Sequence, residues 1–419
     1  MLAHARWTTN TPIRSSEPRF PSMKLLIQSA VILVLAGLFF GCQTPRPSRD
    51  TGPWDMTRLK RVPKYTLGTT LGRVQEVYYE GEPYQGKPTR VFAYLGRPQS
   101  DGRQHPAIVL VHGGGGEAFR QWADLWAQRG YFALAMDTAG QGPNKTRLPD
   151  GGPDQSDETK FRPFTDAEVG EMWTYHAVAA VVRGHSLLAS LPEVDSNRVG
   201  ITGISWGGYL TCIVTGIDDR LRASVPVYGC GFLSENSVWL PRFEKLGSQG
   251  TAQWDHWFDP SRYLREVSCP ILFMNGTTDF AYPLDSYQKS YRQVPGRVNL
   301  SVTTTLQHSH EHGWAPPEIA LFMDSVLQQG QPLAQVSRMT LAGSKITSTF
   351  QASVPVIRGQ LSYASPEGPW QKRTWKTVDA VLEGNTVQAI LPATRPLVFF
   401  LTVTDSRGAT TSSQHAILP

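Results

Sequence analysis

Residues 203–207 read Gly203-Ile204-Ser205-Trp206-Gly207. A serine hydroxyl is a weak nucleophile near neutral pH. Chemistry at Ser205 therefore needs a base to take its proton and a third group to orient that base. The flanking glycines suit a sharp, strained turn, where a Cβ would collide with the adjoining strand or helix. The pentapeptide alone is common. Here an apolar run at 199–202 precedes it and an apolar helical stretch follows, the strand–turn–helix setting that lifts a serine clear of a sheet at the positive end of a helix.

In that setting the acid and the base follow the serine along the chain. Asp279 comes directly after the apolar run 271–274 and the turn 275–278, and a carboxylate at the C-terminal end of a strand faces the crevice where open α/β sheets bind ligands. Capping of the next helix is the simpler role for it, and Asp285 is its competitor. The base must follow the last apolar run, 300–306, where His308, His310 and His312 stand. His308 is nearest the run and is the expected base; His310 is the alternative. A His-x-His-x-His run also suggests metal, but no aspartate or cysteine partner is identifiable, so no metal is expected. A spare histidine can instead support the loop.

Charge developing on a carbonyl oxygen needs two backbone N–H donors. Trp206, following the serine, supplies one. The other is expected from the turn His112-Gly113-Gly114-Gly115-Gly116, with Gly114 as the choice, because glycines let backbone approach a substrate closely. A phosphate-binding loop is the rival reading, but no Lys-Ser/Thr follows these glycines.

The elements that would position these groups are legible as periodicity. Strands are expected at 74–95 around a hairpin at 81–88. Short apolar runs follow at 107–111, 131–136, 199–202, 223–227, 271–274 and 300–306, separated by helical stretches, which is the pattern of a mostly parallel sheet in an α/β fold. A helix is expected over 166–189, opened by Thr165 and Glu168 as a capping box, with Val169, Met172, Trp173, His176, Ala180 and Val181 on its buried face. His176 and His185 read as packed helix residues, not ligands. Beyond residue 329 helical spacing ceases, and strands near 346–351, 360–363, 386–390 and 397–403 give a small all-β sandwich over 335–419, with Trp370 and Trp375 in its core. The preceding unit spans 65–332.

Residues 24–42 have a basic start, an apolar run at 25–40 and then Gly41-Cys42. This reads as a secretory signal, 23–42, ending in a lipidation cysteine; an uncleaved anchor is the rival. Residues 1–22 read as an extension ahead of the true start at Met23, and 43–64 as a flexible tether. The net charge is +5, of which +4 lies in residues 1–50, so the folded part gives no electrostatic argument for nucleic acid. Cys212, Cys230 and Cys269 are expected as free, buried thiols.

With these features in hand, residues 74–329 resemble the acetyl xylan esterase and dienelactone hydrolase group of α/β-hydrolases. The carrying motifs are His112-Gly113-Gly114, Asp137-Thr138-Ala139-Gly140-Gln141-Gly142, the turn at Ser205, and Asp279 with Tyr282-Pro283. Asp137–Gly142 is similar to the Asp-x-Arg-Gly-Gln-Gly of acetyl xylan esterases, with Ala139 where they have Arg. The resemblance implies His308 as the base, and Gly114 as the second oxyanion donor. It also implies a serine esterase acting on a small ester or acylated carbohydrate, without a cofactor. Trp206, where those esterases have Gln, is more like prolyl-oligopeptidase-type peptidases. An exported serine peptidase and a non-catalytic surface binding protein are the alternatives. The expected location is the bacterial cell envelope, with membrane contact through the lipid anchor alone; the oligomeric state is left open.

Overall fold

Two β-sheets organise residues 49–419, the part that the computed structural model describes. Expectations for 1–22, for the signal 23–42 and for Cys42 lie outside the described residues. The first sheet contains β1 (Tyr65–Leu71), β2 (Val74–Glu80), β3 (Arg90–Gly96), β4 (His105–Val111), β5 (Phe132–Met136), β6 (Val194–Ile204), β7 (Ala223–Val227), β8 (Ile271–Gly276) and β9 (Val298–Thr303). Its spatial order is β1-β2-β3-β5-β4-β6-β7-β8-β9, antiparallel through the β3–β5 pair and parallel from β5 to β9. Strands β5, β7 and β8 are buried along their whole length. Helices cover both faces, so apolar residues occur in runs rather than alternating.

Strand β9 was expected to reach residue 306 but stops at Thr303. Among the described residues its only strand partner is β8, which makes its last pairing there, Gly276 with Thr303, so no ladder among them holds the chain extended beyond it. His308 therefore sits on a loop.

The stretch expected as a flexible tether, 43–64, is corrected over its described residues. A short helix α1 (Met56–Leu59) forms there, and Trp54, Met56 and Leu59 are buried. Arg49 donates to the carbonyls of Gly216 at 2.7 Å and Glu266 at 2.9 Å. The helix expected over 166–189 is broken: a 3-10 turn, Asp166–Glu171, ends at the extended residue Met172 (ψ 144°), and α2 runs over Trp173–Ala189. Almost every α2 side chain is buried, not one face alone. Residues 49–64 are the reason. Trp54 Nε1 donates to the Tyr175 carbonyl at 3.0 Å and Ser186 Oγ to the Leu59 carbonyl at 3.0 Å, so the segment roofs the outer side of the helix.

The C-terminal strands are all antiparallel: β10 (Gln335–Val336), β11 (Thr340–Ala342), β12 (Lys345–Gln351), β13 (Val356–Ala364), β14 (Lys376–Glu383), β15 (Thr386–Ile390), β16 (Leu397–Asp405), β17 (Thr410–Ser412) and β18 (Ala416–Leu418). The two layers expected of a sandwich are one continuous, near-barrel sheet. β14 joins them, pairing with β13 through Ala380 and with β15 from Val381. Ile346, Leu361, Val387, Leu401 and Val403 fill the space between. A second cluster, Leu284 and Val302 with Ala364, Trp370, Val398 and Phe400, joins this sheet to the first. The three cysteines are free and buried, as expected.

Candidate active site

Ser205 occupies the single residue between β6 and the helix α3 (Trp206–Ile217). Its backbone lies at φ +60°, ψ −119°, a conformation costing about 1–3 kcal/mol for a residue with a Cβ. The surrounding structure holds it there: the Ser205 amide donates to the Val227 carbonyl and its carbonyl accepts from Tyr209, both at 2.9 Å. A Cβ on Gly207 would stand 2.0 Å from the Val111 carbonyl oxygen, and one on Gly203 2.2 Å from that of Gly207. Both flanking glycines are thus required by close backbone approach.

His308 Nε2 lies 2.9 Å from Ser205 Oγ and His308 Nδ1 2.6 Å from Asp279 Oδ2. The buried Asp279 carboxylate accepts on its other oxygen from the amides of Ala281 at 2.9 Å and Tyr282 at 2.8 Å. That leaves Oδ2 for His308 alone. With the proton on Nδ1 held by the carboxylate, Nε2 presents its lone pair to the serine hydroxyl. The Tyr228 ring stacks on His308 at 4.4 Å, while its hydroxyl donates to the Gln307 carbonyl and so fixes the loop that β9 leaves unsupported. Phe280 packs on the imidazole at 4.6 Å.

The competing residues are placed elsewhere. Asp285 accepts from Asn236 Nδ2 at 2.8 Å. His312 Nδ1 is 2.8 Å from Ser309 Oγ. His310, the alternative base, has its Nε2 on the Gly113 amide at 3.1 Å. Burial first, then the neighbouring His112, pushes its pKa down to about 4. The described residues contain no metal-type cluster of three or more His, Cys, Asp or Glu side chains.

A cavity of about 320 Å³ opens over Ser205, lined by Gly114, Trp206, Trp239, Phe280 and His308 among others. The Trp206 ring packs against Trp239 at 4.4 Å and Tyr209 at 4.9 Å, and the buried Lys160 ammonium lies 4.6 Å from its centroid. Burial lowers the Lys160 pKa, against the pull of Asp157 3.3 Å away. Of the aromatics in 234–258, Trp239 reaches the cavity. Trp254 and Phe258 are fully buried in the helix Leu240–Phe258, and Trp257 Nε1 donates to Asp166 at 2.9 Å. Tyr228, Phe280 and Lys160 were not anticipated as site residues. Tyr228 had a usable signal, since it is the first residue past β7 and so faces the strand-end crevice.

The acetyl xylan esterase family profile matches residues 58–240, and the prolyl oligopeptidase family profile matches 162–319. An acetyl esterase of Xylanibacter ruminicola is 24% identical over 216 residues, 46% of this chain and 46% of that protein. The chain is similar to acetyl xylan esterases. Solved acetyl xylan esterases from Thermoanaerobacterium sp. and Paenibacillus sp. superpose with TM-scores of 0.52 and 0.53 at 18% and 19% identity. In each case 65% of this chain and 92% of the other is covered. At that identity the likeness establishes the α/β-hydrolase fold of the first sheet and its helices. The chain matches less than half the length of the curated acetyl esterase. Both profiles span Ser205, and the prolyl oligopeptidase profile also spans Asp279 and His308.

Proposed function

We propose that the protein is a serine carboxylic-ester hydrolase that removes small acyl groups, acetyl foremost, from carbohydrate. The observation that carries this reading is the continuous line from Asp279 through His308 to Ser205 Oγ, with contacts of 2.6 and 2.9 Å, at the floor of the cavity. Ser205 Oγ attacks the ester carbonyl carbon as its proton passes to His308 Nε2. The carbonyl oxygen becomes an oxyanion between the amides of Gly114 and Trp206. The carbon–oxygen bond to the alcohol then breaks, and His308 returns the proton to the departing oxygen. Water, deprotonated by His308, cleaves the acyl-serine and regenerates Ser205. Asp279 holds the imidazole in the tautomer that each step requires.

Similarity to acetyl xylan esterases over 58–240 supports the substrate class. The aromatic walls Trp206, Trp239 and Phe280 suit a sugar face or a short acyl chain. The basic start, apolar run and Gly41-Cys42 support export and attachment to the cell envelope through lipid on Cys42. A serine peptidase is the second reading, favoured by the prolyl oligopeptidase match and by Trp206. Comparing kcat/KM on acetylated xylan and short aryl esters with that on aminoacyl-proline amides divides the two. Ester preference of at least about 100-fold is expected; amide cleavage without ester preference would defeat the esterase reading.

A further inference from the structure

Two histidines grip the peptide units of Gly113 from opposite sides. The Gly113 N–H donates to His310 Nε2 at 3.1 Å, and the Gly113 carbonyl accepts from His112 Nδ1 at 2.7 Å and from the Gly116 amide at 3.1 Å. His112 is itself fixed, because its Nε2 accepts from the Thr138 amide at 2.9 Å. In a trans peptide the C=O and the following N–H point in opposite directions. The Gly113 carbonyl and the Gly114 N–H belong to one such unit. Drawing the carbonyl onto His112 therefore turns the Gly114 N–H the other way, and Gly114 lines the cavity with Ser205.

His310 controls the other end of the same residue. It stands at the start of the helix His310–Trp314, with its ring against Phe119 at 4.8 Å. A Cβ on Gly116 would lie 2.6 Å from His310 Nε2, so the glycine run makes room for the imidazole. Accepting from Gly113 requires a lone pair on Nε2 and hence a neutral ring, which burial favours by lowering the pKa to about 4. No hydrogen bond joins His310 to Ser205 or Asp279 among the described residues.

We propose that His310 is a positioning residue for ester hydrolysis, setting, opposite His112, the orientation of the Gly113–Gly114 peptide so that the Gly114 amide faces the developing oxyanion. This rests on the esterase reading of the site above.

The test compares His310→Ala and His310→Gln with wild type, using an aryl acetate for kcat and KM and a trifluoromethyl ketone for affinity. The ketone adds Ser205 Oγ to form a hemiketal whose oxygen needs the same amides. Loss of loop control in His310→Ala should lower kcat roughly 10- to 100-fold with KM little changed, and weaken the ketone in proportion. Gln carries an acceptor with similar reach, so His310→Gln should recover most of both. Unchanged kcat in His310→Ala would overturn the proposal, as would loss of kcat with ketone affinity intact. If His310→Ala fails to fold, His310→Gln decides alone: near-wild-type ketone affinity supports the proposal and a deep loss overturns it. An inactive wild type would instead sink the esterase reading.

Discussion

At the scale of single residues, the arrangement depends on which atom of each side chain is already spoken for. Asp279 Oδ1 is committed to two backbone amides and only Oδ2 meets His308. In Asp279→Asn the amide nitrogen cannot face those two N–H donors, so the carboxamide oxygen must take that side and the NH₂ must face His308. Imidazole would then accept on Nδ1 and carry its proton on Nε2, the tautomer unable to deprotonate Ser205. The expected outcome is a fall in kcat of about 10³- to 10⁴-fold with the unfolding midpoint nearly unchanged, measured by steady-state kinetics and thermal melting. A loss under tenfold would mean that Asp279 does not orient the base. Much of this scale was legible in the sequence. Ser205, Asp279 and His308 are brought together, and Gly114 and Trp206 line the cavity beside them. Lys160 was hidden because its contact with Trp206 joins residues far apart in the chain, which no local spacing encodes, whereas Tyr228 was readable only through its place directly after β7.

At the scale of elements, the sequence displayed what is periodic and concealed what is imposed by neighbours. The apolar runs at 107–111 and 223–227 became strands because both faces of each are covered. Two expectations failed for tertiary reasons. Strand β9 ends with the last β8 pairing, and residues 49–64, polar and without an apolar period, are nevertheless tied down by Trp54, Met56 and Leu59. Strand β14 was not anticipated either, since most of its residues are exposed and carry no alternating signal. The roof over α2 yields a stability prediction. Trp54 is 1% exposed, donates to the Tyr175 carbonyl and packs edge-on to Tyr263 at 5.6 Å. Trp54→Ala should cost about 3–5 kcal/mol in denaturant unfolding while leaving kcat on short esters near wild type, because the residue lies across the helix from the cavity. A cost below ~1 kcal/mol would restore the tether reading of this segment.

At the scale of the whole molecule, the C-terminal sheet is packed onto the unit that carries Ser205. Val302 donates to Ser412 Oγ at 3.1 Å, and Gln371 Nε2 reaches the Phe280 carbonyl, next to Asp279, at 3.4 Å. Its all-β character was legible; its seam with the first sheet was not, because Leu284, Val302, Trp370 and Phe400 read as ordinary core residues of separate units. The proposed reaction passes through one event, transfer of an acyl group to Ser205. Rapid quenching of the protein during turnover of an acetyl ester, followed by intact-mass and peptide mapping, observes that event. One added acetyl group is expected, located on Ser205 and absent from Ser205→Ala. Ester turnover with no acetyl on Ser205, or with the acetyl on another side chain, would contradict it.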